Sequence, residues 1–469
     1  MTNHGRLCGH LRNWTLVIAG LGLPACATAT ERSMRSELRR IEADLAPLPS
    51  AVTTPARASD NPALDGSLGT YLAYAYAHSP SLRATFEEWR AATHRPRQER
   101  RLPEPTITYA GFVRSVETRV GPQRHRLGAM QWFPWPTKLT AGGEAASLEA
   151  QAAQRRFEGH ALEIAAAVSS AYWTLWRVQR QREVLRDEVQ ILGSLSEQIR
   201  VRVEVGGAEL ADLAQVDLMV SRTRDRLAGL DETEKAASAR LVRVIGAPDG
   251  IDTPVSRHEP IVAEVSEPIG KLAAEASRHP RVEVLATLSD AAGQRVREAR
   301  ADRAPSFGIG VDWIITGESP SMPAPPDSGK DAVAVALSVK VPLWARAYRA
   351  AEDEARARSA ALRARAIDAR NGVAAAVREQ AARVSDDVRR VRVYETTLVP
   401  QAETTFESVL SSYAAGRSSV AELLLAEREL IGLQDELYAA EADYGTHIAQ
   451  LESVVGRAVQ TKGQVDADR

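Results

Sequence analysis

Cys26 is the residue whose surroundings most clearly suggest a chemical modification. It ends the segment Leu23-Pro24-Ala25-Cys26. A basic start and an uncharged run from Trp14 to Leu23 precede it, an order that is typical of a secretory signal peptide. The tetrapeptide is similar to a lipobox, in which the cysteine thiol is acylated and becomes the first residue of the mature chain. Ala25-Cys26-Ala27 also fits ordinary signal cleavage. We expect lipidation at Cys26, with plain cleavage and a buried structural cysteine as the alternatives.

The other residue types that carry chemistry form no recognisable site. The sequence has two cysteines and nine scattered histidines, and it contains no P-loop, no G-x-S-x-G and no H-E-x-x-H motif. A formal net charge of −2 lacks the excess of lysine and arginine that nucleic-acid binding requires. We therefore predict a protein that is not an enzyme and that has no catalytic residue, no metal site, no cofactor and no nucleic-acid partner.

The elements around these residues are arranged as an internal repeat, because prolines and glycines recur at offsets of 200 to 210 residues. The matched segments are Pro80 with Pro280, Pro105 with Pro305, Pro134 with Pro342, Val203-Glu204-Val205-Gly206 with Tyr413-Ala414-Ala415-Gly416, and Ile245-Gly246 with Val455-Gly456. Each half predicts a helix, a pair of strands, a very long helix, a glycine turn and a helix. The predicted segments are a signal peptide (1–25), a tether (26–66), repeat 1 (67–248), a linker (249–266), repeat 2 (267–457) and a polar tail (458–469).

The long segments of each repeat have the pattern of coiled-coil helices. Thr137–Val203 contains no proline, and Ala345–Ala415 is similar except for an expected kink at Pro400. Leucines and other apolar residues recur every seven positions after both glycine turns, from Leu213 and from Leu423. A sustained seven-residue repeat predicts helices that supercoil on narrow apolar seams.

The extended segments alternate with a period of two, as a strand with two different faces does. Val333 to Val341 presents five apolar residues on one face and Ala, Ser and Lys on the other, over the length that a tilted membrane strand requires. Four tryptophans lie in or beside these strands and are expected to form an aromatic girdle at the membrane surface: Trp132, Trp135, Trp313 and Trp344. Four strands cannot close a barrel, and an open edge is not tolerated in lipid. We therefore expect three chains to pool twelve strands.

Together these motifs resemble the TolC family, the outer-membrane factors of bacterial tripartite efflux and secretion systems, over roughly residues 67–457. Phe133-Pro134-Trp135-Pro136-Thr137-Lys138 further resembles the heavy-metal efflux branch, although Thr137 stands where glycine is usual. The resemblance implies a mainly helical fold with a small membrane β part: four strands per chain, a twelve-stranded barrel in the homotrimer, and a periplasmic tunnel of long coiled-coil helices.

The resemblance also implies a function and its partners. The chain would be a passive exit duct in the outer membrane, in contact with outer-membrane lipid, a periplasmic adaptor and an inner-membrane pump. Gly206, Gly207, Gly416 and Arg417 would form the tips on which the adaptor docks. Alignment from Gly416 makes Glu422 the acidic residue of the pore gate, with Leu425 at the second acidic position and Asp212 as the equivalent in repeat 1.

The same residues allow other interpretations of Glu422 and of the whole chain. Glu422 also suits the start of a helix, where a carboxylate is favoured by the helix dipole. The whole chain could instead be a periplasmic coiled-coil scaffold or adaptor without a barrel, or the outer-membrane component of a type I protein secretion system. The sequence does not identify the cargo.

Overall fold

The computed structural model describes residues 28–45, 64–248, 251–255 and 259–462. The helices are α1 (Ala29–Asp44), α2 (Leu68–His78), α3 (Pro80–Ala92), α4 (Arg95–Glu99), α5 (Pro136–Glu204), α6 (Leu210–Ile245), α7 (Ile269–Ala274), α8 (Pro280–Ala301), α9 (Ala345–Val393), α10 (Val399–Ala414) and α11 (Val420–Val455). The strands are β1 (Thr106–Val116), β2 (Gln123–Phe133), β3 (Ser306–Thr316) and β4 (Ala332–Lys340). Among these residues, no helix is both long and apolar enough to cross a bilayer.

The described residues divide into two compact units. The first contains residues 28–39, 90–151 and 287–362, and the second contains the remainder of the described chain. The first unit holds the whole sheet, and the second holds helices only, apart from one isolated bridge between Val265 and Thr461.

The sheet of the first unit is antiparallel, in the order β1-β2-β3-β4. Leu127 of β2 pairs with Tyr109 of β1 and with Trp313 of β3, and Trp313 pairs in turn with Val333 of β4. Paired residues share a face of the sheet and successive residues alternate between faces. The register therefore assigns every strand residue in the regular ladder to one of two faces.

Helix ends in the first unit are joined by charged side chains that are largely removed from solvent. Glu31 of α1, within the predicted tether, is 2% exposed and accepts hydrogen bonds from Arg100 (2.5 Å) and Ser147 (2.8 Å). A side chain at Gly143 would overlap Arg100, so the glycine makes room for this arginine. This part of the predicted tether is thus packed into the unit rather than extended away from it.

The helices of the second unit pack along the apolar seams that the heptads predict. Leu423, Tyr444 and Leu451 of α11 are buried, as are Val216 and Val220 of α6, and none of the other residues at the predicted heptad positions is exposed. Trp176 of α5 is also buried, with its ring edge-on to Trp173 and Tyr438. Burial of large aromatic side chains contributes strongly to the stability of such a bundle.

Two local features explain the proline and glycine positions of the repeat. The second long helix is interrupted by a π-helical turn over Tyr394–Leu398, just before Pro400, which cannot donate a backbone hydrogen bond. Gly246 has a φ of 75° and lies so close to Pro80 that a side chain there would overlap it. Gly456 has a φ of 88° and also ends α11 beside Pro280, where a side chain would make ordinary van der Waals contact. The closing glycine of each repeat therefore packs on the opening proline of the same repeat.

Candidate functional site

The two glycine turns have the same backbone geometry. Gly206 and Gly416 have φ angles of 74° and 70°, in the left-handed region that glycine tolerates best. Gly207 N donates to Arg202 O at 2.7 Å after α5, and Arg417 N donates to Ser412 O at 2.9 Å after α10. These bonds satisfy carbonyls that a helix end leaves unpaired, as in a Schellman motif. Each long helix consequently reverses into its partner within a few residues.

The two turns meet in the second unit. The Arg202 guanidinium lies 5.6 Å from the centre of the Tyr413 ring, within the range of a cation–π contact. Beneath them lies a cluster of buried apolar residues that we call the tip cluster: Leu192, Ile199, Val216, Val220, Val420 and Leu424. The four residues predicted as docking tips are thus brought together on one end of α5, α6, α10 and α11.

Glu422 lies in the first turn of α11 and is exposed. Its Oε2 accepts from Ser419 N at 2.8 Å, while Glu422 N donates to Ser419 Oγ at 3.3 Å, which is a capping box. The hydrogen bond from the Ser419 backbone holds the pKa of Glu422 below its ordinary value. The carboxylate is therefore charged over the physiological pH range, and it also stabilises the start of the helix.

Asp212 is placed similarly in the first turn of α6, where its Oδ2 accepts from Glu209 N at 3.4 Å. This bond is longer than the equivalent bond of Glu422. Leu425, at the second position where the family resemblance expects an acidic residue, is exposed. The helix after each tip therefore carries a carboxylate at its third position, Asp212 in α6 and Glu422 in α11.

A pair of buried carboxyl groups, not predicted from the sequence, lies directly above the tip cluster. Glu188 of α5 is 4% exposed and accepts from Thr223 Oγ1 of α6 at 3.2 Å; Glu427 of α11 is 5% exposed. Burial, and secondarily the neighbouring Glu188, raise the pKa of Glu427 to about 8. Burial likewise raises the pKa of Glu188, against the opposing effects of Thr223 and Arg226. Glu427 is thus protonated near neutral pH.

The sequence contains one indication that these two acids are buried: each lies four residues from a leucine of the buried helix face. Glu188 precedes Leu192 by four residues and Glu427 follows Leu423 by four, so each shares a helix face with its leucine. One oxygen of each carboxyl group has no hydrogen-bond partner among the described residues.

The two faces of the sheet differ in chemistry. One face is mainly apolar and exposed in the single chain, with two polar residues in the regular ladder, His125 and Gln131; its larger exposed side chains are Ile107, Tyr109, Leu127, Phe307, Ile309, Val311, Trp313, Val333, Val335, Leu337 and Val339. The other face carries mainly small and polar residues, including Gly308, Gly310 and Ala336, and an ion pair between Arg126 and Asp312 at 2.7 Å. Its larger apolar side chains are Met130, Trp132 and Ile314. Such a sheet has one side suited to lipid and one suited to water.

The register separates the four predicted girdle tryptophans. Trp313 lies on the apolar face, and Trp135 and Trp344 are exposed just beyond the strands. Trp132 pairs with Gly308 on the small-residue face. A girdle in contact with lipid would therefore not include Trp132. Cys26 lies outside the described residues.

Comparisons with known proteins agree with this architecture. The chain has the fold of the outer-membrane channels, and the predicted fold class is confirmed. VceC from Vibrio cholerae, an outer membrane protein, matches with a TM-score of 0.68 and 20% identity, covering 83% of this chain and 96% of VceC. The MtrE outer membrane channel of Neisseria gonorrhoeae, crystallised in its open state, matches with a TM-score of 0.67 and 16% identity, covering 88% and 97%.

The second repeat also matches a family model by sequence. Residues 273–457 match the family described as outer membrane efflux protein, which confirms the resemblance to this family. CusC, described as forming a transmembrane channel, matches with a TM-score of 0.71 over 88% of this chain and 99% of its own, but at 15% identity the likeness shows the fold alone. The heavy-metal branch therefore remains a prediction. No curated protein matches the sequence.

Proposed function

We propose that this chain forms a homotrimeric exit duct in the bacterial outer membrane, through which a tripartite efflux system releases small molecules or metal ions. The observation that carries the proposal is the sheet, which has one continuous apolar face and unpaired edges at β1 and β4. Unpaired backbone groups in hydrocarbon cost several kcal/mol each. Three chains joined edge to edge supply twelve strands and remove every edge.

The helices supply the rest of the duct. Helices that reverse at Gly206 and Gly416 give each chain a compact tip, and three such tips surround a periplasmic opening. A periplasmic adaptor docks on the turns at Gly206, Gly207, Gly416 and Arg417, and an inner-membrane pump provides the energy. The duct itself makes and breaks no covalent bond.

The direct test of this function is a bilayer recording. Purified protein should migrate as a trimer after chemical crosslinking and should open ion-conducting channels in planar bilayers. Protein that is recovered without detergent, remains monomeric and gives no conductance would be a periplasmic scaffold instead.

Glu422→Gln tests the gate residue within this function. Glutamine keeps the capping box, so the substitution removes the charge alone. A carboxylate about 4 Å from a passing cation contributes on the order of 1 kcal/mol in water, and it repels an anion by a similar energy, so we expect the cation-to-anion permeability ratio to fall at least about fivefold. Reversal potentials under a salt gradient measure this ratio.

Ser419→Ala is the matched control, because it weakens the cap and leaves the Glu422 charge in place. It should lower helix stability at the tip without changing selectivity. If selectivity is the same in wild type and Glu422→Gln, Glu422 only caps the helix.

Cys26→Ala tests the anchor that the lipobox-like segment predicts. We expect the substitution to abolish incorporation of labelled palmitate, while the trimer is still recovered from the outer membrane because the sheet itself holds the protein in lipid. Unaltered labelling would exclude Cys26 as the acylated residue, and loss of the trimer would show that the anchor is required for assembly.

A further inference from the structure

A strongly basic cavity lies in the first unit, between the end of α8 and the start of α9. It has a volume of about 420 Å³ and is lined by Arg300, Arg303, Arg349, Glu352, Asp353 and Arg356. We call it the arginine cavity. Four positive and two negative side chains leave it with a net charge of +2.

One buried carboxylate organises three of the arginines. Glu352, whose side chain is 4% exposed, accepts from Arg300 Nε at 3.0 Å, from Arg303 Nη1 at 3.3 Å and from Arg356 Nη2 at 2.6 Å. The Arg300 hydrogen bond, together with the other two arginines, holds the pKa of Glu352 below its ordinary value, so the carboxylate stays charged. It cannot satisfy all the N–H donors of the three guanidinium groups, which remain about half exposed and keep donors for another anion.

Arg349 adds a fourth charge that no acid balances. It is exposed, and within the described residues it has no hydrogen bond or ion pair. Four guanidinium groups around one opening are suited to the oxygens of a phosphate group, which accept paired N–H donors. The second negative residue, Asp353, is held by Arg356 at 2.9 Å.

The cavity lies at the base of the apolar strands. Arg303 precedes the first residue of β3, Ser306, by three positions. Arg349 follows Trp344 by five positions, and Leu343 and Trp344 are 76% exposed. On the surface of a membrane protein, apolar residues contact the lipid tails, aromatic residues lie at the interface, and basic residues lie at the level of the headgroups. The residues around the cavity follow this order.

The first repeat does not have this set of arginines. The positions equivalent to Arg303, Arg349 and Arg356 are Pro103, Ala141 and Leu148. Arg100, the equivalent of Arg300, is instead bonded to Glu31. The arginines are thus not required by the fold that the two repeats share.

We propose that the arginine cavity binds the phosphate of an anionic phospholipid headgroup in the inner leaflet of the membrane that surrounds the sheet. The inference rests on the proposed function, because it needs the strands to lie in lipid. A net charge of +2 favours an anionic headgroup over a zwitterionic one.

Native mass spectrometry of the detergent-purified trimer tests the site. With phosphatidylglycerol added, we expect the wild type to retain up to three lipids per trimer, and with phosphatidylcholine few or none. Arg349→Gln should weaken retention of phosphatidylglycerol about fivefold, the effect of one basic residue near an anionic lipid surface. This variant loses no hydrogen bond or ion pair within the described chain and is expected to fold.

Arg358→Gln is the matched control. Arg358 lies on the same helix, is bound to Glu354 at 2.5 Å and does not line the cavity. Equal retention by wild type, Arg349→Gln and Arg358→Gln would overturn the proposal. Displacement of the lipid by inorganic phosphate at equal concentration would also overturn it, because the ligand would then be a free anion.

The lipid site and the duct can be refuted separately. Wild-type protein that conducts in bilayers but shows no preference for phosphatidylglycerol refutes the lipid site alone. Wild-type protein that gives neither trimers nor conductance refutes the duct on which the site depends.

Discussion

Leu337→Arg is expected to prevent assembly of the protein in the outer membrane. Leu337 is 80% exposed at the middle of β4 and pairs with Ile309 on the apolar face. An arginine facing lipid at this depth costs about 2–4 kcal/mol in each chain, and the trimer would carry three of them. The measurement is the yield of crosslinked trimer in the detergent-extracted outer-membrane fraction.

Ala336→Arg is the control for this substitution. Ala336 is the neighbouring residue at nearly the same depth, but it pairs with Gly310 on the small-residue face. In a closed barrel its arginine would face the water-filled lumen, so trimers should form normally. Equal recovery of both variants would contradict the assignment of one face of the sheet to lipid and the other to water.

Glu427→Gln is expected to stabilise the helical unit at pH 8 and to have little effect at pH 5. The folded protein retains a proton on Glu427 up to about pH 8, whereas an unfolded glutamate loses it near its ordinary value of 4.5. Between these values unfolding releases a proton, and the free energy of unfolding falls by about 1.4 kcal/mol for each pH unit of increase. Glutamine resembles the protonated acid and removes this dependence.

The measurement is urea unfolding followed by helical circular dichroism between pH 5 and pH 8. The quantity to compare is the difference in the free energy of unfolding between variant and wild type, because the contributions of the other titrating groups are the same in both proteins and cancel. Glu429→Gln, on the exposed side of the same helix, should leave the pH dependence unchanged. Parallel curves for wild type and Glu427→Gln would show that Glu427 is ionised in the assembled protein.

Protonation of Glu427 has a physical consequence at the tip. Glu188 and Glu427 lie on different helices, above the apolar residues that join α5, α6 and α11. Ionising both would place two negative charges in a region with little solvent, which is unfavourable unless water enters or the helices separate. We therefore expect the packing of the tip to depend on pH.

Much of this architecture was predictable from the sequence alone, because it is encoded over short distances along the chain. The alternation of Val333 to Val341 specified a strand with two unlike faces, and the leucines of α11 specified a helix with one buried seam. Gly206 and Gly416 marked the helix reversals because a left-handed residue is needed there. The duplication could be recognised because prolines and glycines stay in step between the repeats.

What the sequence could not decide depends on which distant residues meet. The face on which Trp132 lies follows from its pairing with Gly308, and a shift of one residue would have reversed it. The carboxyl group of Glu31 is buried because Arg100 and Ser147 surround it, and Glu352 holds arginines from two helices that are about fifty positions apart. Local periodicity determines the elements and their apolar faces, whereas burial of a charge and the making of a cavity depend on packing between them, which only the tertiary structure specifies.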